Sequence, residues 1–184
     1  PAAYLVNKIY MRGLPFYVDE RTIVPRSFIG ELLETHFGGG EEDGTSLIGD
    51  PMAVDSVLDL CTGSGCLAIL ASSHFPSAEI DAVDLSKDAL AVAARNVREY
   101  GLEDRLTLHR GDLFEPLAGK RYDLIISNPP YVAEGDPHLE LNGLPHEPRM
   151  ALSDQEPGGN GLACIRRIVA AAAAHLNPGG WLLF

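Results

Sequence analysis

The stretch "LDLCTGSGC", residues 58–66, places a glycine-rich turn between an apolar run and a run with helical character. A turn between a strand and a helix lets backbone N–H groups at the helix N-terminus face an anionic ligand. Gly63 and Gly65 would permit a ligand to approach the backbone closely. Many α/β proteins use such turns only to reverse the chain, and the GxGxxG pattern of nicotinamide-binding proteins does not occur here. The turn alone therefore fits a ligand site and a structural turn equally well.

From Val54 onwards, strand-like apolar runs alternate with longer runs of helical periodicity. The predicted strands are residues 56–60, 78–84, 106–110, 122–127 and 180–184, and the predicted helices are residues 65–75, 86–101 and 161–176. Strands and helices that alternate at this spacing form right-handed βαβ units. The sequence therefore predicts an α/β fold with a mostly parallel, doubly wound sheet that helices cover on both faces.

The residues before this alternation predict smaller elements. After a short helix, two strands, Phe16–Val18 and Thr22–Val24, are predicted to form a hairpin around the polar residues "DER". Ser27 can cap a helix over residues 28–37. The acidic, glycine-rich residues 38–46, "GGGEEDGTS", predict a mobile loop.

The composition is that of a globular protein of ordinary domain size. The chain has 184 residues, of which 46% are hydrophobic, enough to bury a core. No apolar run reaches the ~18 residues of a membrane span and the first residues lack signal-peptide features, so we expect a cytoplasmic protein. Acidic residues outnumber basic ones by 26 to 14, and the net charge of −12 opposes binding to nucleic-acid phosphates. The three cysteines and six histidines lack metal-ligand spacing, so we expect no metal site.

Acidic residues follow the second and third predicted strands. Asp84 lies nineteen residues after Gly65, near the spacing at which an acid binds the hydroxyls of a ribose. Asp112 could accept a hydrogen bond from an adenine amino group. Each also has a structural explanation, since Asp84 could cap the next helix, although Ser86 suffices, and Asp112 could be a solvated turn acid. Because parallel strands end at one edge of a sheet, the turn and both acids together suggest an adenosine-containing cofactor.

A rigid polar corner, "SNPPYV" at residues 127–132, follows the fourth predicted strand. In order and spacing, "LDLCTGSGCLAILAS", "IDAVDLSKDAL", "GDLF" and "YDLIISNPPYV" resemble the S-adenosylmethionine-dependent methyltransferases of the seven-strand Rossmann-like class. "NPPY" is typical of the branch that methylates nitrogen in planar amides or amino groups. "GLPFYVDERTIVPRS" and "HEPRMALSDQEPGGNGL" further resemble the protein glutamine N5-methyltransferases, most like the branch that acts on large-subunit ribosomal protein number three.

The resemblance implies S-adenosylmethionine as cofactor and roles for particular residues. The implied cofactor-binding residues are Asp59, Cys61, Thr62, Gly63, Gly65, Asp84, Leu85, Asp112, Leu113 and Asn128. The implied catalytic residues are Asn128, Pro129 and Tyr131. The Asn128 side-chain oxygen and the Pro129 carbonyl would accept the two N–H bonds of a substrate amide, and Tyr131 would offer a flat face to it. The chain departs from the family at Cys61 and Cys66, where methyltransferases usually carry glycines.

The resemblance also implies a division of the chain. The chain starts at Pro1 and stops inside a predicted strand, so we expect a fragment that is truncated at both ends. Residues 1–26 would be the remnant of an N-terminal substrate-recognition region with its linking hairpin. Residues 27–184 would form the methyltransferase domain. Arg26 could help to close the site, or it could be a surface or interface arginine.

Several other functions compete with this interpretation. The same corner would suit a peptide chain release factor as target, or adenine N6 or guanine N2 on a flipped base. A nucleic-acid substrate predicts a basic face, which the charge disfavours. A catalytically silent binding domain is disfavoured by the intact "NPPY", Asp84 and Asp112, and a nicotinamide dehydrogenase by the missing phosphate-binding pattern.

Overall fold

The computed structural model describes residues 1–37, 47–141 and 143–184, so the predicted loop over residues 38–46 lies outside the described residues. The strands are β1 Ile9–Met11, β2 Leu14–Phe16, β3 Ser56–Leu60, β4 Glu79–Asp84, β5 Leu106–Arg110, β6 Tyr122–Ser127 and β7 Leu176–Leu183. The α-helices are α1 Ala2–Val6, α2 Ile29–Leu32, α3 Cys66–His74, α4 Lys87–Glu99, α5 Arg149–Leu152 and α6 Ala163–Ala172. Short 3-10 helices cover Pro51–Ala53, Glu115–Leu117, Pro137–Glu140, Leu144–His146 and Ala173–His175, and a π-helical turn covers Leu33–Phe37.

Strands β3 to β7 form one parallel sheet in the order β5-β4-β3-β6-β7. The predicted α/β fold is therefore confirmed. The last strand begins at Leu176 and not at residue 180, where the sequence predicts its start. Its first residues fit beside β6 because the register of the pair shifts between Tyr122 and Leu124. The chain first winds from β3 to β5 and then returns to the other side of β3, so the topology switches between β3 and β6. Ligands of open α/β sheets bind at this switch, beyond the carboxyl ends of the strands.

Alternate residues of the central strands pack into two separate cores, one on each face of the sheet. On one face, Val57, Leu124 and Ile126 pack with the buried side of α3. On the other face, Leu58 and Ile125 pack with α6. Burial on both faces explains why these strands read as continuous apolar runs in the sequence.

The hairpin lies earlier in the chain than the sequence predicts, because β1 and β2 form the antiparallel pair. The prediction of paired strands at Phe16–Val18 and Thr22–Val24 is wrong, and in the described part of the chain no strand covers the second of these. Side chains bind the backbone donors there instead. Asp19 Oδ1 accepts a backbone N–H two residues further on (3.1 Å), and the Val24 N–H donates to Glu147 Oε2 (3.0 Å).

The described α-helices range from 4 to 13 residues in length. The helix predicted over residues 28–37 forms as α2 followed by the π-helical turn. Ser27 Oγ accepts the Ile29 N–H at 3.2 Å, next to the start of α2. Among the helices that the structure describes, none is both long and apolar enough to cross a membrane.

Candidate active site

A cavity of about 260 Å³, the main cavity, opens at the carboxyl edge of the sheet, where the topology switches between β3 and β6. The sequence-predicted residues that border it are Cys61, Thr62, Gly63, Asp84, Leu85, Asp112, Leu113 and Asn128. They come from the turn after β3, the end of β4, the loop after β5 and the corner after β6. The structure therefore brings together residues that are up to 67 positions apart in the sequence.

Asp84 connects the end of β4 to the glycine-rich turn. Its Oδ2 accepts the Gly63 N–H and its Oδ1 accepts the Ser86 N–H, both at 2.8 Å. Ser86 Oγ separately caps α4 by accepting the Ala89 N–H at 3.1 Å, so Asp84 is not required as the cap. Burial raises the pKa of Asp84, and the backbone hydrogen bonds oppose this shift. Each carboxylate oxygen can accept a further hydrogen bond, so Asp84 retains capacity for a ligand hydroxyl.

Asp59 and Gly65 lie behind the cavity wall and shape the turn. Asp59 Oδ2 accepts hydrogen bonds from Thr62 Oγ1 (2.6 Å) and the Ala68 N–H (3.1 Å). Its Oδ1 has no hydrogen-bond partner among the described residues, and burial raises the pKa of Asp59 to about 7. Gly65 has a φ of 80°, and a Cβ there would lie 3.2 Å from the Cβ of Ala93 on α4. Glycine thus allows the turn to pack closely against this helix.

Asp112 and Leu113 border the main cavity from the loop after β5. Asp112 Oδ2 accepts a hydrogen bond at 2.8 Å from Nη2 of Arg167 on α6, a partner that the sequence pattern does not reveal. Leu113 is buried and has a φ of 51°, in the left-handed region that non-glycine residues seldom occupy. The second oxygen of Asp112 can still accept a hydrogen bond from a ligand.

The corner at residues 127–132 lies between two cavities. Ser127 Oγ donates to the Leu60 carbonyl at 2.8 Å, which ties the corner to β3. Asn128 borders the main cavity and also a second cavity of about 120 Å³. Pro129 and Tyr131 border the second cavity, and Tyr131 is 57% exposed. Two ligands, one in each cavity, could therefore meet at Asn128.

Residues that precede the sheet also border the two cavities. Ile23 and Arg26 border both cavities, and Arg26 forms a bidentate ion pair with Glu147 at 2.9 and 3.0 Å. Of the two explanations for Arg26, the structure favours a place at the site. Ile23 and Glu147 lie within the two stretches that resemble the protein glutamine N5-methyltransferases, but that resemblance assigns a role to neither residue.

Two free cysteines, Cys61 and Cys164, border the main cavity, and the sequence pattern does not predict Cys164 there. A hydrogen bond from the Cys61 thiol, aided by Arg167, lowers the pKa of Cys164, whereas the same hydrogen bond and burial raise the pKa of Cys61. The third cysteine, Cys66, is buried, and burial raises its pKa to about 12. A lowered pKa favours the thiolate, so we expect Cys164 to be the most reactive of the three thiols.

The strand order, with a cavity at its switch point, defines a Rossmann-like doubly wound α/β protein. An O-methyltransferase family protein from Burkholderia thailandensis has a similar fold, with a TM-score of 0.50 and 18% sequence identity. The similarity covers 74% of this chain and 34% of that protein. At this identity the comparison supports the fold alone.

Residues 38–142 match the family model described as "Methyltransferase small domain", and the chain belongs to this family. A relative from Bradyrhizobium diazoefficiens is 64% identical over the whole chain, and one from Bordetella pertussis is 50% identical. Both are named ribosomal protein uL3 glutamine methyltransferase, which confirms the predicted resemblance to that branch. The chain spans 56% and 58% of the length of these two relatives.

Proposed function

We propose that this chain binds S-adenosylmethionine in the main cavity and helps to transfer its methyl group to the side-chain nitrogen of a glutamine in ribosomal protein uL3. The observation that carries the proposal is that Asn128, in the "NPPY" corner, borders both cavities. The names of the relatives supply the target. A cofactor in one cavity and an amide in the other would meet at this side chain.

The residues of the main cavity fit the cofactor. Asp84 retains lone pairs for ribose hydroxyls, and Asp112 has one for the adenine amino group. A Cβ on Gly63 would meet no atom within 4 Å, so the turn leaves open space beside its backbone. The exposed side chain of Leu85 offers an apolar surface to the adenine ring. When bound, S-adenosylmethionine supplies an electrophilic methyl group on a positively charged sulfur, which the acidic wall favours.

The residues of the corner suit a planar amide. An amide nitrogen is a weak nucleophile, so holding it in line with the methyl group provides much of the catalysis. Asn128 Oδ1 and the Pro129 carbonyl would accept its two N–H bonds and favour the positive charge that develops on the nitrogen. The nitrogen then loses one proton to water, since Asn128 has no useful basicity. Pro129 and Pro130 restrict φ and hold these acceptors in place.

A protein target suits the chain better than a nucleic acid. The net charge of −12 repels phosphate backbones and attracts a basic protein. The names of the relatives favour uL3 over a release factor as that target. Such a target belongs to the translation machinery, in keeping with the cytoplasmic location that the sequence predicts. The division at residues 26 and 27 into a recognition region and a methyltransferase domain stays a prediction.

Substitution of Asn128 tests the proposal. Asn128→Ala removes an acceptor from the substrate amide, so single-turnover methylation of purified uL3 should fall about 10- to 1,000-fold. Asn128→Asp keeps an acceptor oxygen and should retain more activity than the alanine variant. Labelled methyl transfer, with mass spectrometry to locate the methyl group on a glutamine, measures the reaction. Calorimetry measures cofactor affinity, which should change far less than turnover.

Parallel reactions with a release factor and with duplex DNA serve as controls for the target. Methylation of a release factor in preference to uL3 would replace the target but keep the chemistry. Full activity of Asn128→Ala on uL3 would show that the corner supports the fold and not the substrate.

A further inference from the structure

Three arginines border the main cavity among the described residues, and each is paired with a carboxylate. The pairs are Arg21 with Asp19 (2.5 Å), Arg26 with Glu147 (2.9 Å) and Arg167 with Asp112 (2.8 Å). By contrast, Asp84 and Asp154, which also border the cavity, accept hydrogen bonds from backbone N–H groups. The charge of each arginine is therefore balanced by its partner, whereas the charges of Asp84 and Asp154 are not balanced by a basic side chain. The cavity wall has an excess of negative charge, which suits a cation.

Glu147 is the most enclosed of the three paired carboxylates, with its side chain 3% exposed. Its Oε2 accepts the Val24 N–H at 3.0 Å, and its two oxygens accept from Nη1 and Nη2 of Arg26. A buried carboxylate needs such partners, because its desolvation is costly. Glu147 therefore holds both the backbone and the arginine of the connecting segment, residues 17–27.

The other end of the connecting segment is attached to the glycine-rich turn. Asn96 on α4 is fully buried, and its Oδ1 accepts the Tyr17 N–H at 2.8 Å. Its Nδ2 donates to the Tyr17 carbonyl (3.0 Å) and the Ser64 carbonyl (2.8 Å). Because Asn96 and Glu147 hold both ends, Ile23 and Arg26 have fixed positions beside the two cavities.

Of the three arginines, Arg26 is the one whose charge would affect both cavities. It borders both cavities, as Asn128 does, and its side chain is 43% exposed. Under the proposed function, a sulfonium cation and an amide nitrogen that becomes positive would meet in this region. An uncompensated guanidinium here would oppose both charges.

We propose that Glu147 is a positioning residue for methyl transfer that neutralises Arg26, so that the boundary between the two cavities accepts cationic groups. The proposal rests on the proposed function. It predicts that the Arg26–Glu147 pair controls discrimination between the cationic cofactor and its neutral product, S-adenosylhomocysteine. A pair that merely supported the fold would affect both ligands alike.

Calorimetry with both ligands on four proteins tests this: wild type, Glu147→Gln, the double variant Arg26→Gln/Glu147→Gln, and Glu99→Gln. The glutamine side chain of Glu147→Gln keeps an acceptor for the connecting segment but leaves Arg26 charged. For charges ~10 Å apart at an effective dielectric constant of ~20 to 40, affinity for S-adenosylmethionine should fall about 4- to 16-fold. Affinity for S-adenosylhomocysteine should change less than about 2-fold, because this ligand lacks the sulfonium charge.

The double variant removes both charges, so it should restore the ratio of the two affinities to within about 2-fold of wild type. Its single-turnover rate with uL3 should also exceed that of Glu147→Gln. Glu99→Gln is the matched control, because it breaks an arginine–glutamate pair on α4 that borders neither cavity in the described residues. This control should leave the ratio unchanged.

Equal weakening of both ligands in Glu147→Gln, or a ratio that the double variant does not restore, would overturn the proposal. Thermal denaturation confirms that each variant is folded at the assay temperature. The ratio needs no protein target, so its outcome is independent of uL3. If wild type fails to methylate uL3 while the ratio behaves as expected, the proposed function fails and the role of Glu147 in cation selection stands.

Discussion

Asp59→Asn should change how the stability of the protein depends on pH. Burial raises the pKa of this carboxyl from 3.8 to about 7, and its Oδ1 has no hydrogen-bond partner among the described residues. Between pH 4 and 7 the folded protein therefore binds a proton at Asp59 that the unfolded chain has lost. Stability falls with rising pH wherever the folded state binds more protons. The protein therefore loses stability as the pH rises from about 4 to about 7, and above pH 7 the buried, ionised Asp59 keeps the fold less stable.

The size of the effect follows from the shift of the pKa. One pKa unit corresponds to about 1.4 kcal/mol, so the full shift is worth about 4 kcal/mol. About 2.5 kcal/mol of this falls between pH 5 and pH 8, because the unfolded carboxyl is already ionised at pH 5. The asparagine side chain of the variant cannot ionise and can still accept the Ala68 N–H. Relative to wild type, the free energy of unfolding of the variant should rise by that amount over this range.

Urea denaturation of both proteins at pH 5, 6, 7 and 8 measures this difference. Burial also raises the pKa of Asp84, but that contribution is common to both proteins and cancels. Asp123→Asn is the matched control on a neighbouring strand. Burial alone would raise the pKa of Asp123, but hydrogen bonds from Asn177 and from backbone N–H groups lower it overall. Asp123 is therefore ionised in both states above pH 5, and this variant should show a constant difference. Parallel curves for wild type and Asp59→Asn would refute the reasoning.

Two further predictions concern the main cavity. Asp84→Asn keeps only one acceptor oxygen for the two backbone N–H groups and the ribose, so calorimetry should show cofactor binding weakened by about 1.5 to 3 kcal/mol; unchanged affinity would remove Asp84 from the cofactor site. Iodoacetamide at pH 8 should modify Cys164 fastest, because its pKa is lowered, and S-adenosylhomocysteine should slow that reaction. Peptide mapping measures each thiol, with buried Cys66 as the inert internal control, and equal rates with and without the ligand would place the cofactor elsewhere.

The sheet could be predicted from the sequence because local pattern and tertiary environment agree there. Strands that are buried on both faces consist almost entirely of apolar residues, and each is followed by a run of helical periodicity. The hairpin could not be placed in the same way. The apolar residues around "DER" resemble a strand, but Glu147, 123 residues after Val24, binds the backbone N–H that a strand partner would need. Such a long-range contact leaves no local signal.

The candidate site likewise contains residues that local sequence patterns predict and residues that they do not. The motifs predict Gly63, Asp84, Asp112 and Asn128 as site residues, and all four border the main cavity. Such motifs are visible in the sequence because they hold particular groups at fixed distances from strand ends. Partners that act on those groups stay hidden, such as Arg167, which binds Asp112 from 55 residues away. Spacing within a motif also cannot separate residues that border the cavity from residues that support its wall, as Asp59 and Gly65 do.

Backbone geometry gives a separate indication that the main cavity is a functional site. Among the described residues, five non-glycine residues have positive φ, and three of them, Cys61, Leu113 and Gln155, with φ between 51° and 59°, border this cavity. Each such conformation costs on the order of 1 to 3 kcal/mol and persists only where surrounding contacts fix it. Asp84 provides such a contact by accepting the Gly63 N–H, two residues after Cys61. The fold therefore carries strain around one cavity at the topological switch, as expected where loops must present particular groups to a ligand and cannot relax to their preferred conformations.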